Sequence, residues 1–128
     1  MKLRIRDNSI RLRLTRQEVD SLNRQGLVSA STAFPGGRRL HYEIESSPAS
    51  VTPAAYFSEN RLTVRLPETT VLAWASTEQV SMSGEQRLDD GELLTLLVEK
   101  DFRCLAPRDS EDESDMYPNP LEQKPKIA

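Results

Sequence analysis

Residues 2–18 read Lys2-Leu3-Arg4-Ile5-Arg6-Asp7-Asn8-Ser9-Ile10-Arg11-Leu12-Arg13-Leu14-Thr15-Arg16-Gln17-Glu18, and this stretch decides the fold class. Leu3, Ile5, Ile10, Leu12 and Leu14 alternate with Arg4, Arg6, Arg11 and Arg13, which is the period of a strand buried on one side only. Asp7-Asn8 interrupts the alternation with two residues that tolerate positive φ, so the two strands form a hairpin. Thr15-Arg16-Gln17-Glu18 is then a capping box, in which the hydroxyl and the carboxylate each accept the other residue's free backbone N–H. Val19 and Leu22 follow on one helical face and Gly26 stops the chain, predicting a short helix over 15–25.

Working outward, 27–34 is a strand candidate, Pro35-Gly36-Gly37 a turn, and 38–45 alternates again through Leu40, Tyr42 and Ile44. The proline- and serine-bearing stretch 46–55 reads as a loop. In 61–66, Leu62, Val64 and Leu66 alternate with Arg61, Thr63 and Arg65. Pro67 has a fixed φ that suits the first turn of a helix, and Val71, Leu72, Trp74 and Ala75 give that helix an apolar stripe over 68–76, with Trp74 in the core. Strands at 79–83 and 93–102, joined by the turn Asp89-Asp90-Gly91, complete the set. The second is nearly continuous in apolar residues through Val98, which predicts a central place in the sheet.

The expectation is an α+β fold: a mostly antiparallel, strongly twisted sheet of about six or seven strands, open to curling into a half-barrel, with two short helices on one face. Residues 1–107 form a single domain and 108–128 an acidic, proline-containing tail. Beyond the likeness of the first two strands, no internal repeat is evident.

The 128 residues are 37% hydrophobic and 29% charged, which suits one globular domain. No run of about 18 apolar residues exists to span a membrane, and the charged alternation at the amino end excludes a secretory signal. The single Cys104 cannot form an internal disulfide, so the expected location is the cytoplasm. A net charge of −3 conceals a split: 11 Lys and Arg face 6 Asp and Glu through Leu66, and 6 face 14 beyond it. The overall acidity argues against a nucleic-acid binder.

With all strands in one sheet, Arg4, Arg6, Arg11, Arg13, Arg61 and Arg65 share a charged face. Guanidinium forks suit carboxylate and phosphate oxygens, so these six are the candidate anion-binding residues. Glu43 and Glu45 point the same way from one strand and, with Glu99 and Asp101, form a candidate Mg²⁺ set, since oxygen ligands of this kind complete their shell with substrate phosphates. Asp109, Glu111, Asp112, Glu113 and Asp115 are candidates for folding back onto the arginines. Cys104, between Arg103 and Leu105 and close to Phe102, reads as a buried thiol, and His41 is the single histidine that could activate it. No glycine-rich phosphate loop, paired CxxC, HExxH or serine elbow occurs.

Two resemblances add to this reading. Glu43-Ile44-Glu45-Ser46-Ser47 resembles the Glu-x-Glu-x-Lys signature of the triphosphate tunnel metalloenzymes, with Ser47 in the place of the lysine. That likeness implies metal-dependent phosphate chemistry with Mg²⁺ as cofactor. Leu3-Arg4-Ile5-Arg6, 8–15, Leu62-Thr63-Val64-Arg65-Leu66-Pro67, Val98-Glu99-Lys100-Asp101-Phe102, Cys104-Leu105, Glu111-Asp112 and Pro118-Asn119-Pro120 together resemble a family of small uncharacterised bacterial proteins. This second likeness spans nearly all of 1–120 and implies that the tail belongs to the functional unit.

The reading that follows is a non-catalytic binding or interaction module, needing no cofactor, that uses its arginine face. Its partner is an acidic protein segment or a phosphate-containing small molecule. Metal-dependent phosphate binding or hydrolysis is the alternative. Exposed sheet edges also leave a homodimer open.

Overall fold

The computed structural model describes residues 1–102 and Tyr117. The chain order is β1 (Lys2–Arg6), β2 (Ser9–Leu14), α1 (Arg16–Gln25), β3 (Leu27–Phe34), β4 (Arg38–Ser47), β5 (Ala54–Ser58), β6 (Arg61–Pro67), α2 (Glu68–Ser76), β7 (Ser81–Arg87) and β8 (Leu93–Lys100). The α+β class and both helices are as the sequence predicts. The sheet is not: there are two four-stranded sheets, ordered β1-β2-β8-β7 and β3-β4-β6-β5. Both are mixed, because each joins two antiparallel hairpins through a central parallel pair, β2 with β8 and β4 with β6. Alternation reports which face a side chain takes and carries no information on which strand lies beside which.

Parallel neighbours cannot be joined by a tight turn, so the chain must cross over between them. Here each helix carries the chain from one sheet to the other, α1 from β2 to β3 and α2 from β6 to β7. The elements thus repeat as hairpin, helix, hairpin, then hairpin, helix, hairpin. Ile10, Leu12, Leu14, Val19 and Leu22 recur at one constant offset as Leu62, Val64, Leu66, Val71 and Trp74, and all ten are buried. Two of these five pairs are identical, Leu14 with Leu66 and Val19 with Val71, and the other three keep only apolar character, so the repeat shows in the burial pattern more than in the sequence.

The two sheets and both helices share one core, completed by Ile44, Met82, Leu96 and Val98. Trp74 is fully buried and its indole N–H donates to the Val80 carbonyl at 2.9 Å, which satisfies the one polar atom it takes inside. As predicted from its apolar run, β8 is a central strand.

The loop expected over 46–55 is shorter at both ends, since β4 runs on through Ser47 and β5 begins at Ala54. Ala54-Ala55-Tyr56-Phe57-Ser58 lacks alternation, and what makes it a strand is the turn after it, where Glu59 and Asn60 both have positive φ (51° and 61°) and fold it onto β6. The strand begun at 79 in the sequence reading starts at Ser81, and the one ended at 102 stops at Lys100. Where the sheets meet, Pro53 packs onto Gly84 so closely that a Cβ there would lie 2.8 Å from the proline ring. The Ala55 N–H also donates to the Gln86 side chain at 2.7 Å. No helix among the described residues is long and apolar enough to cross a membrane.

Helix α1 starts as its sequence demands. The Glu18 N–H donates to Thr15 Oγ1 at 3.3 Å and the Thr15 N–H donates to Glu18 Oε1 at 2.9 Å, while Gly26 closes the far end at φ 76°. Burial works to raise the pKa of the Glu18 carboxyl. The Met1 ammonium group and the bonds from Thr15 outweigh it, so the carboxyl is held below its ordinary value of 4.5. A carboxyl lowered in this way stabilises the fold above its unfolded pKa, and the contribution is lost as pH falls through the folded value. Glu18→Gln is therefore expected to cost about 1 kcal/mol near neutral pH. The gap from the parent should close as the pH drops below 4.5. Urea unfolding of both proteins across that range checks this, and a gap that persists in acid contradicts it.

Candidate arginine face

Each sheet turns one side to the core and carries its charges on the other. On the first sheet, register places Arg4 directly opposite Arg11 and Lys2 directly opposite Arg13, while Arg6 lies opposite Ser9. Strand β8 then sets Leu97 beside Arg11 and Glu99 beside Arg13. Glu99 Oε1 accepts from Arg13 Nε at 2.6 Å and lies 3.7 Å from Arg11 Nε, and Lys2 Nζ is 2.9 Å from Asp101 Oδ2. Both arginines are held close to the sheet, with side chains only 23% and 18% exposed. By register, Glu85 and Arg87 of β7 extend the same face.

The sequence reading placed all six arginines on one surface. The structure separates them: Arg4, Arg6, Arg11 and Arg13 are on the first sheet, and Arg61 and Arg65 are on β6 of the second. There, Arg61 Nη1 donates to Glu43 Oε1 at 2.5 Å and Arg65 Nη2 to Glu45 Oε2 at 3.4 Å. The Arg65 guanidinium also lies over the Tyr56 ring, 4.9 Å from its centroid, and its Nε is buried with no hydrogen-bond partner among the described residues. The parallel seams therefore correspond. Arg13 stands in register with Glu99 in one and Arg65 with Glu45 in the other.

The candidate metal set is divided in the same way, with Glu43 and Glu45 on β4 of the second sheet and Glu99 and Asp101 at the end of β8 in the first. Glu43, Glu45 and Glu99 each sit against an arginine and Asp101 against Lys2. Among the described residues no group of three His, Cys, Asp or Glu is close enough to hold a metal ion. His41 lies on the second sheet, in register with Ser31 and Arg61. Cys104 and the acidic residues Asp109, Glu111, Asp112, Glu113 and Asp115 lie outside the described residues.

Lys2, Glu85, Arg87 and, on the second sheet, Arg39 belong to these faces and were not singled out from sequence. Once the register is known, parity along each strand assigns them without ambiguity. A cavity of about 580 Å³ opens between the start of α1 and the end of α2, bordered by Arg16, Asp20, Glu78, Lys100 and the candidate residue Asp101. None of the candidate arginines lines it. Lys100 there lies over Trp74, 5.6 Å from the ring centroid, and donates to the Thr77 carbonyl at 2.8 Å.

The first face carries Lys2, Arg4, Arg6, Arg11, Arg13 and Arg87 against Glu85, Glu99 and Asp101, all assigned by register or contact. This is a two-sheet α+β protein with one strongly cationic sheet face. The chain belongs to a family of unknown function (DUF7009), whose model matches residues 1–121. No curated protein and no solved structure matches it.

Like charges directly opposite across a strand pair repel, and Glu99 lies where it offsets two of them. Glu99→Gln is expected to lower stability by about 1 to 2 kcal/mol at low salt. High salt should restore part of the loss, because it screens the remaining repulsion. Thermal unfolding at two ionic strengths measures it, and a loss that does not respond to salt contradicts this account.

Proposed function

We propose that this protein is a non-catalytic binding module whose first-sheet face takes an acidic polypeptide segment. One observation supports this most: cationic residues are set directly opposite one another on β1 and β2, Arg4 to Arg11 and Lys2 to Arg13. A strand pair gains nothing in stability from such pairings, and they concentrate positive charge where it would steer an anionic segment.

The shape of the array selects the class of anion. Successive same-face residues on a strand are about 6.5 to 7 Å apart, so the arginines are set out at intervals along β1 and β2. Cations spaced in this way suit carboxylates spaced along an extended chain. The Glu-x-Glu residues that metal-dependent phosphate chemistry would need lie on the other sheet, against Arg61 and Arg65. The chain itself offers a segment of the right chemistry in Asp109, Glu111, Asp112, Glu113 and Asp115, a few residues after Asp101.

Binding of a fluorescein-labelled oligoglutamate peptide, followed by anisotropy, tests this. Arg11→Glu with Arg13→Glu, checked for folding by circular dichroism, should weaken binding at least about tenfold, and the parent's affinity should fall with salt. Arg4→Glu with Arg6→Glu should do the same without touching the Glu99 pair, whereas Arg61→Glu should leave binding unchanged. Equal binding by the reversal variants would sink the proposal, as would tight binding of tripolyphosphate with none of oligoglutamate. Truncation after Pro107 separates two sources of the segment. Tighter binding of the added peptide identifies the chain's own tail as the competitor, and unchanged binding identifies a separate partner.

A further inference from the structure

The duplication that organises this fold is broken between helix and following strand. Helix α1 reaches β3 through the single residue Gly26, whereas α2 reaches β7 through the four residues 77–80. Thr77 and Glu78 of this longer connection border the cavity of about 580 Å³. Leu14, Val19, Ala75 and Phe102 give the cavity apolar walls, and its charged groups carry both signs. Several hundred cubic ångströms with apolar walls and a few charged groups is the usual build of a small-molecule site.

Two observations set the charge of its ligand. The start of α1 and the end of α2 both border the cavity, so the positive pole of one helix dipole and the negative pole of the other adjoin one space. Arg16 opens α1, and Glu78 stands just past the end of α2. Secondly, the side chains of Arg16, Asp20 and Glu78 make no ion pair or hydrogen bond among the described residues, although all three border the cavity. Lys100 is the fourth charge there without an ion pair among the described residues, held over Trp74 by its bond to the Thr77 carbonyl.

We infer that this cavity binds a small zwitterion, a free α-amino acid with an apolar side chain. Its carboxylate goes to Arg16 at the start of α1, its ammonium group to Glu78 at the end of α2, and its side chain against Leu14, Val19 and Ala75. A simple anion would meet Asp20 and Glu78 without compensation, and a simple cation would meet Arg16 and Lys100. A molecule carrying both charges satisfies both pairs. None of these four charged residues belongs to the arginine face, so the acidic-segment proposal and this one stand independently.

Titration of the full chain with L-leucine and L-phenylalanine, followed by calorimetry and by tryptophan fluorescence, tests this. Trp74 is the single tryptophan. A ligand ammonium group competing for the Thr77 carbonyl loosens Lys100 from the ring, so the emission should change and saturate together with the heat. Isocaproate, which lacks the ammonium group of leucine, and isoamylamine, which lacks its carboxylate, should bind at least about tenfold more weakly. Arg16→Gln and Glu78→Gln, each with an unchanged circular dichroism spectrum, should weaken amino-acid binding to a similar degree. Glu68→Gln, at the position of the second repeat that matches Arg16, should not. Binding of neither amino acid, an analogue bound as tightly as leucine, or parental affinity in either cavity variant would overturn the inference. Arg11→Glu with Arg13→Glu should keep amino-acid binding while losing oligoglutamate, which separates the two sites.

Discussion

Everything in this fold depends on two parallel strand pairs, β2 with β8 and β4 with β6. The first ties the second strand of the chain to its last, and backbone bonds from Thr95 to the Asn8 carbonyl and from Asp101 to the Leu14 carbonyl extend that seam at both ends. Parallel partners must be reached by a crossover: β4 reaches β6 through 48–53 and β5, whereas the path from β2 to β8 runs through both helices and the whole second sheet, which brings the sheets' apolar sides together. The core is consequently one body drawn from both halves.

The seams also set the electrostatics. Each holds an arginine in register with a glutamate, Arg13 with Glu99 and Arg65 with Glu45, but the strands beside them differ. Next to Arg13 stands β1, which adds Lys2, Arg4 and Arg6; next to Arg65 stands β5, which adds Ala54, Tyr56 and Ser58. One seam therefore sits in a cationic field, and the other is nearly neutralised and packed against an aromatic ring. Duplicated architecture with divergent flanking strands is what confines the excess of positive charge to a single sheet.

Much of this was legible in the sequence. The alternation of residues 2–14, the Thr15–Glu18 box and the Gly26 stop carry their structure locally, so the first hairpin and α1 follow from neighbours within a few positions. Residues 61–76 are legible for the same reason. What could not be read were the partners of each strand. Arg61 and Arg65 have the same alternating signature as Arg11 and Arg13, yet they lie on another sheet, and nothing within either segment encodes that. Strand β5 was hidden because Tyr56 and Phe57 are both exposed, which erases the periodicity that marks a half-buried strand.

Pairing thus governs both which charges meet and which edges remain open, and the central claim is that the arginines of the first sheet act alone on an anionic partner. The most direct measurement is a two-dimensional NMR spectrum of the arginine Nε–Hε groups, recorded during titration with oligoglutamate. Shifts confined to Arg4, Arg6, Arg11 and Arg13, with Arg61 and Arg65 unmoved, are the predicted result. Equal shifts on both sheets, or shifts only at Arg61 and Arg65, would contradict it.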